Sequence, residues 1–262
     1  MLSPRELLKT QIERAKAMGF SVQAALEFEF HVLDDGAEGL RANGFEGIDM
    51  YASDNRCWAS QSAAIYSEYV AELDATLQHA GVGLFGLGLE LGPGCFEATL
   101  RATDPLRAAD DAVLFKTFTK AFSRRRGLTA TFMAQLAANV AGLSGHVHIS
   151  LADAKSGKPL FHDGRDKDGM SKTMRHAVAG LVELAPEALA LCAHTVNAYR
   201  RLTPGNWAPK TATWAVQNYA AAVRAVPAPA KQARMEFRLP ASDTNPYLAI
   251  ALTLGAALHG IE

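Results

Sequence analysis

A chain of 262 residues, 49% hydrophobic and 20% charged, carries enough apolar matter to bury a large core. Its 26 basic and 27 acidic residues leave a formal net charge of −1, so no global field draws it to nucleic acid or to a lipid surface. Three widely spaced cysteines, Cys57, Cys95 and Cys192, fit neither a disulfide framework nor a CxxC metal site and point to a reducing compartment.

The first residues lack an apolar h-region, and no run approaches about 18 consecutive apolar positions. Neither a signal peptide nor a membrane span is expected, and the expected location is the cytoplasm. Ser3-Pro4-Arg5-Glu6 reads as a capped helix start, followed by an amphipathic run through Met18 and a stop at Gly19. Strict alternation follows: Val22, Ala24, Leu26, Phe28, Phe30 and Val32 face one way, and Gln23, Ala25, Glu27, Glu29 and His31 the other. Asp34 to Asn55 is rich in glycine and charge and reads as a long loop. Helical spacing runs from about Ser60 to His79 (Ile65, Tyr69, Leu73, Leu77), ended by Gly81.

GLGLELGPGCFEATL reads as two strands around a Gly-Pro-Gly turn. Asp104-Pro105 opens a helix to about Arg126, and Leu128 to Met133 reads as a strand. GHVHISL alternates again, with His146, His148 and Ser150 on one face. One helix is expected from about Ser171 to Ala198, before the loop LTPGNWAP and a run containing Trp214 and Arg224. MEFRLP is a further alternating strand with Arg234, Glu236 and Arg238 on one face, and Asn245-Pro246 starts the final helix. Strands and helices mix without βαβ regularity, so the expected class is α+β with a largely antiparallel sheet, in one unit over 1–262.

Four of these segments bring chemically matched residues to one sheet face. Glu27 and Glu29 share a strand, Glu90 and Glu97 flank a turn, His146 and His148 alternate on a third strand, and Glu236 sits between two arginines on a fourth. Any one of them alone is most simply a solvated antiparallel strand. Together, the clustered carboxylates repel one another unless cations intervene. Five carboxylates and an imidazole suit two or three hard divalent ions, Mg²⁺ or Mn²⁺ rather than Zn²⁺. Neighbouring arginines would then hold phosphate or carboxylate by paired hydrogen bonds. Cys95 reads as a small buried hydrophobe, and Trp207 as a packing anchor or a substrate contact. Glu236→Ala is expected to remove metal binding and leave the fold intact.

The pieces LEFEF, ELGPGCFE, GLSGHVHISL, NAYRRLTPGNWAP and KQARMEFRLPASDTNPYLA, in this order, resemble the glutamine synthetase catalytic domain. The resemblance implies a curved antiparallel sheet ringed by helices, of the glutamine synthetase/guanido kinase-like kind, and a ring-type homo-oligomer. It implies ATP-dependent joining of glutamate to an amine, ammonia or a larger organic one, through γ-glutamyl phosphate. It makes Glu29, Glu90 and Glu97 ligands of one metal, and Glu27, His146 and Glu236 ligands of a second on the ATP phosphates. Arg201 and Arg238 match arginines that grip glutamate, and Gly142 the glycine that contacts it. Arg224, Arg234 and Lys231 match phosphate- and nucleotide-contacting positions, and His148 and Ser150 nucleotide-side contacts.

There are departures from the family pattern. Cys95 stands for a glutamine, Gln135-Leu136 for Lys-Pro, Ala141 for an asparagine and Tyr219 for an arginine. Trp207 stands where ammonia-using members place a glutamate, which implies an amine larger than ammonia. The family's N-terminal β-grasp domain and the part after the final helix are not in this chain. An alternative is therefore a catalytically attenuated homologue that binds nucleotide or partners in an oligomer. A guanidino kinase-like phosphotransferase fits less well, because that class lacks the Glu/His face.

Overall fold

A computed structural model describes residues 3–203 and 208–262 of the chain. Helix α1 (Pro4–Ala17) leads into β1 (Phe20–Leu33), the long central strand that the alternation predicts. The chain then runs through α2 (Ala37–Ala42), α3 (Ser60–Ile65), α4 (Ser67–His79), β2 (Leu84–Leu89), β3 (Cys95–Leu100), α5 (Pro105–Arg124), β4 (Thr129–Thr131) and β5 (Gly145–Asp153). It continues through α6 (Lys172–Glu183), α7 (Ala185–Cys192), α8 (Val196–Arg201), β6 (Trp214–Val216), β7 (Val223–Val226), β8 (Arg234–Phe237) and α9 (Pro246–Ile261). The strands of the described residues form one sheet in the order β2-β3-β1-β5-β8-β7-β6, with β4 also pairing β1. All pairings are antiparallel except β6 with β7. The α+β class and the curved-sheet architecture hold.

One face of the sheet is the core. Phe28, Phe30 and Phe96 from β1 and β3 pack against Phe115 of α5 and Phe132, with ring centroids 5.4–6.4 Å apart. Each such ring contributes about 1.5–3 kcal/mol by leaving water. Helices α1, α5, α6 and α9 cover this face, which frees the other for polar side chains.

Three expectations about elements change. The 34–55 loop contains the short helix α2. The helix expected over 60–79 breaks at Tyr66 (φ −100°, ψ 16°), so Tyr69, Leu73 and Leu77 are buried while Ile65 stays exposed. The single helix expected over 171–198 is three, because Pro186 cannot continue a helix and instead sits in the first turn of α7. Ser3 also fails to cap with its side chain, whereas Asp104 and Asn245 each accept two backbone N–H groups at the starts of α5 and α9.

Candidate active site

Strand register gathers the predicted residues. Glu29 sits opposite Glu97, and Glu27 opposite His146; His148 pairs with Glu236, which in turn pairs with Arg224. Cross-strand partners share a face, so the alternation of four strands becomes one polar floor. That floor opens into a cavity of about 750 Å³ lined by Glu27, Glu29, Glu90, Glu97, Gly142, His146, Arg201, Arg224 and Arg238, all predicted site residues.

Glu27, His146 and Glu236 form a cluster able to hold a cation. Their ligand atoms lie within 4.8 Å of one another. His146 Nδ1 stands 2.8 Å from Glu27 Oε1 and 3.3 Å from Glu236 Oε1. His146 Nε2 is buried with no hydrogen-bond partner among the described residues, an atom free to ligate. Two carboxylates with one imidazole suit a hard divalent ion. Burial raises the Glu27 carboxyl, but hydrogen bonds and charge from His146 and His148 outweigh it and hold the group well below its ordinary value.

Glu29, Glu90 and Glu97 line the same cavity. Burial first, then the charges of Glu27, Glu90 and Glu29, push the Glu97 carboxyl up to about 9. Glu29 Oε2 accepts the Ser144 N–H at 2.5 Å. Glu90 accepts the Trp58 indole N–H at 2.9 Å and the Cys57 thiol at 3.1 Å. A divalent ion among these oxygens would offset their repulsion, so the donor set fits the metal that the resemblance implies.

The arginines are set by main-chain geometry. Arg201 is 1% exposed and donates to Leu239 O (2.9 Å), Arg238 O (3.1 Å) and Ser144 Oγ (2.9 Å). Burial brings its guanidinium down to about 10, with Glu29 opposing the shift. Arg224 and Arg238 both pair with Glu236, which is fully buried between them. Tyr219, at the position where the resemblance expects arginine, lays its ring under both guanidinium groups, at 4.3 Å from Arg224 and 5.4 Å from Arg238.

Other predicted residues lie outside the cavity lining. His148 adjoins it, 3.4 Å from Glu27 Oε2, and its Nδ1 accepts from Arg234 Nε at 3.3 Å. Ser150 is farther along β5, opposite Gln23. Lys231 is exposed in the turn before β8. Trp207 is outside the described residues. Sequence reasoning missed Cys57, Trp58 and Ser144. The available signal for Trp58 was Gly86 and Gly88, which leave the acidic face of β2 bare for a ring.

Among the described residues, no helix is long and apolar enough to cross a membrane. The sequence model of the glutamine synthetase catalytic domain matches residues 1–262. A glutamate–isopropylamine ligase of a Pseudomonas species is 36% identical over 261 residues, covering 100% of this chain and 57% of the relative. Type-1 glutamine synthetase 2 of Dictyostelium discoideum is 36% identical over 260 residues, 99% of this chain and 50% of that protein. A solved GmaS–ADP complex superimposes with a TM-score of 0.84 at 30% identity, covering 99% of this chain and 59% of that one. The chain thus spans about half the length of the curated relatives it matches. On sequence and on fold alike, it belongs to the glutamine synthetase catalytic-domain family.

Proposed function

We propose that the chain carries the phosphoryl-transfer and amide-forming site of an ATP-dependent glutamate–amine ligase. The observation that carries this reading is the convergence of Glu27, His146 and Glu236 with Glu29, Glu90, Glu97 and three arginines around one cavity. In the reaction, a γ-carboxylate oxygen of glutamate attacks the γ-phosphorus of ATP and the bond to ADP breaks. The amine nitrogen then attacks the acyl carbon, phosphate leaves with the bridging oxygen, and the nitrogen loses a proton.

Two ions of Mg²⁺ or Mn²⁺, one at Glu27–His146–Glu236 and one at Glu29–Glu90–Glu97, would neutralise charge on the transferred phosphoryl group. Arg201 and Arg238, with Gly142, orient the carboxylates of glutamate. Arg224 faces the phosphate, and Arg234, His148, Ser150 and Lys231 lie toward the nucleotide. The low solvent access of Arg201, Arg224 and Arg238 favours paired, charge-assisted hydrogen bonds to the anionic substrate. By the same resemblance, the working form is a ring-type homo-oligomer.

The amine is an organic one. Trp207 offers an apolar face and no base where ammonia-using members of the family place a carboxylate, and a relative's substrate is isopropylamine. A panel of amines with glutamate and Mg·ATP tests this. Equimolar ADP, phosphate and γ-glutamylamide are expected, with a higher kcat/KM for an alkylamine than for ammonium. Trp207→Glu should move preference toward ammonium. A parent enzyme preferring ammonium to every organic amine would return the chain to glutamine synthesis. Nucleotide binding without any amide would favour the attenuated homologue, to which Tyr219 in place of arginine lends support.

A further inference from the structure

The cavity is lined by an aromatic side chain, Trp58, that the family resemblance did not assign. Trp58 lines the cavity beside Leu91 and Cys57, with 51% of its surface exposed, and Leu91 is 46% exposed. Two exposed large apolar side chains side by side in a pocket whose floor is carboxylates and arginines suit a ligand with an apolar part.

Trp58 is held there by several independent devices. Its own N–H donates to Leu89 O at 2.9 Å, and its indole N–H to Glu90 Oε2 at 2.9 Å. Asn55 Oδ1 accepts the Gly92 N–H at 2.9 Å, which straps the 52–59 segment to the β2–β3 turn. The indole lies on bare glycines: a Cβ at Gly88 would come within 2.7 Å of its ring, and one at Gly86 within 3.6 Å. Trp58 itself has φ +48°, a left-handed conformation that a bulky residue adopts only when its surroundings enforce it.

We propose that Trp58 is a specificity-determining residue, whose indole is the apolar wall for the organic substituent of the amine. This rests on the ligase reading above. The strand order separates the candidate occupants. His148, Arg234 and Lys231, the nucleotide-side positions, lie on or beside the interior strands β5 and β8, whereas Trp58 lies over β2, an edge strand. Glutamate, doubly anionic, gains nothing from the face of an indole. A protonated alkylamine matches that corner: the ring face accepts a cation, and Trp58 and Leu91 cover its carbon body. The bound amine loses its proton before attack, so the indole serves selection and not chemistry.

The test compares kcat/KM for isopropylamine and ammonium in the intact polypeptide, its Trp58→Ala and Trp58→Phe variants, and Gly88→Ala. Trp58→Ala should lower the isopropylamine-to-ammonium ratio about tenfold, the scale of a lost apolar contact. The loss should appear in the amine KM, with the KM values for glutamate and ATP unchanged. Trp58→Phe, which keeps an apolar plane, should restore most of the ratio. Gly88→Ala, which pushes the indole into the cavity, should penalise isopropylamine more than ammonium, and it decides the matter if Trp58→Ala fails to fold. An unchanged ratio in an active variant, an equal loss for every amine, or a raised KM for ATP would overturn the proposal and leave the ligase reading standing. A parent that turns over no amine would sink both.

Discussion

Glu236→Ala is expected to lower the free energy of unfolding by about 3–5 kcal/mol and to abolish metal-dependent nucleotide binding. Carboxylate crowding alone suggested that this variant would leave the fold intact, and the structure corrects that expectation. Glu236 is fully buried and pairs with both Arg224 and Arg238, so its removal strands two buried guanidinium groups in a poorly solvated floor. Burial raises the Glu236 carboxyl, but His148, His146, Arg238 and Arg224 outweigh that and bring it down to about 2, from an ordinary 4.5. Because the folded value is depressed, its contribution is fully present above about 4.5 and is lost as pH falls toward about 2. Denaturant midpoints measured across that window should fall less steeply in Glu236→Ala than in the parent. A variant as stable as the parent at neutral pH would show that the ion pairs contribute nothing.

The apparent affinity for Mg²⁺ should rise about 100-fold between pH 6 and pH 8, because binding must displace one proton in this range. The proton is the one on Glu97, whose carboxyl is pushed up to about 9 by burial and three neighbouring carboxylates. The sign follows from the raised value. Without cation, the folded state holds this proton between about 4.5 and 9 while the unfolded chain does not, so stability falls as pH rises through that interval. Mg²⁺ should therefore raise the Tm more at pH 8 than at pH 6. Glu97→Gln, which cannot titrate, should flatten the pH dependence while weakening binding overall. Calorimetry in two buffers of different ionisation enthalpy would count the released proton directly. An affinity independent of pH over this range would show that Glu97 holds no proton there before the ion binds.

Much of the site was legible because period-two alternation is local. The alternating residues of β1, β5 and β8 place Glu27, Glu29, His146, His148 and Glu236 on one face, whatever strand each pairs with. Which residues meet across strands was not legible. That Glu29 faces Glu97, and Glu27 faces His146, is a matter of register, set by turns and by burial on the opposite face. Trp58 escaped notice because its position depends on hydrogen bonds from a loop to a distant hairpin, and the alternating Gly86 and Gly88 show room for a ring without saying which ring fills it. Lys116 escaped for a related reason. It sits on an ordinary amphipathic helix, yet its ammonium lies 4.2 Å over the Phe28 ring and donates to Ser242 O (2.5 Å) and Thr244 O (3.1 Å). Burial brings it down to about 7. Ser242 Oγ donates in turn to Glu29 O at 2.6 Å, so this half-buried lysine braces the back of the acidic floor. The helix breaks were half legible: Pro186 marks one, while the break at Tyr66 follows from tertiary packing of Tyr66 on Tyr51 at 5.6 Å.

The central claim is that the γ-carboxylate of glutamate is activated by phosphoryl transfer on this acidic sheet face. The most direct measurement follows oxygen. Glutamate carrying ¹⁸O in its γ-carboxylate, incubated with Mg·ATP and an accepting amine, should give inorganic phosphate with one ¹⁸O for each γ-glutamylamide formed, because the carboxylate oxygen bridges to phosphorus and leaves with it. Phosphate released without label, or ATP hydrolysed at the same rate without glutamate, would contradict the account.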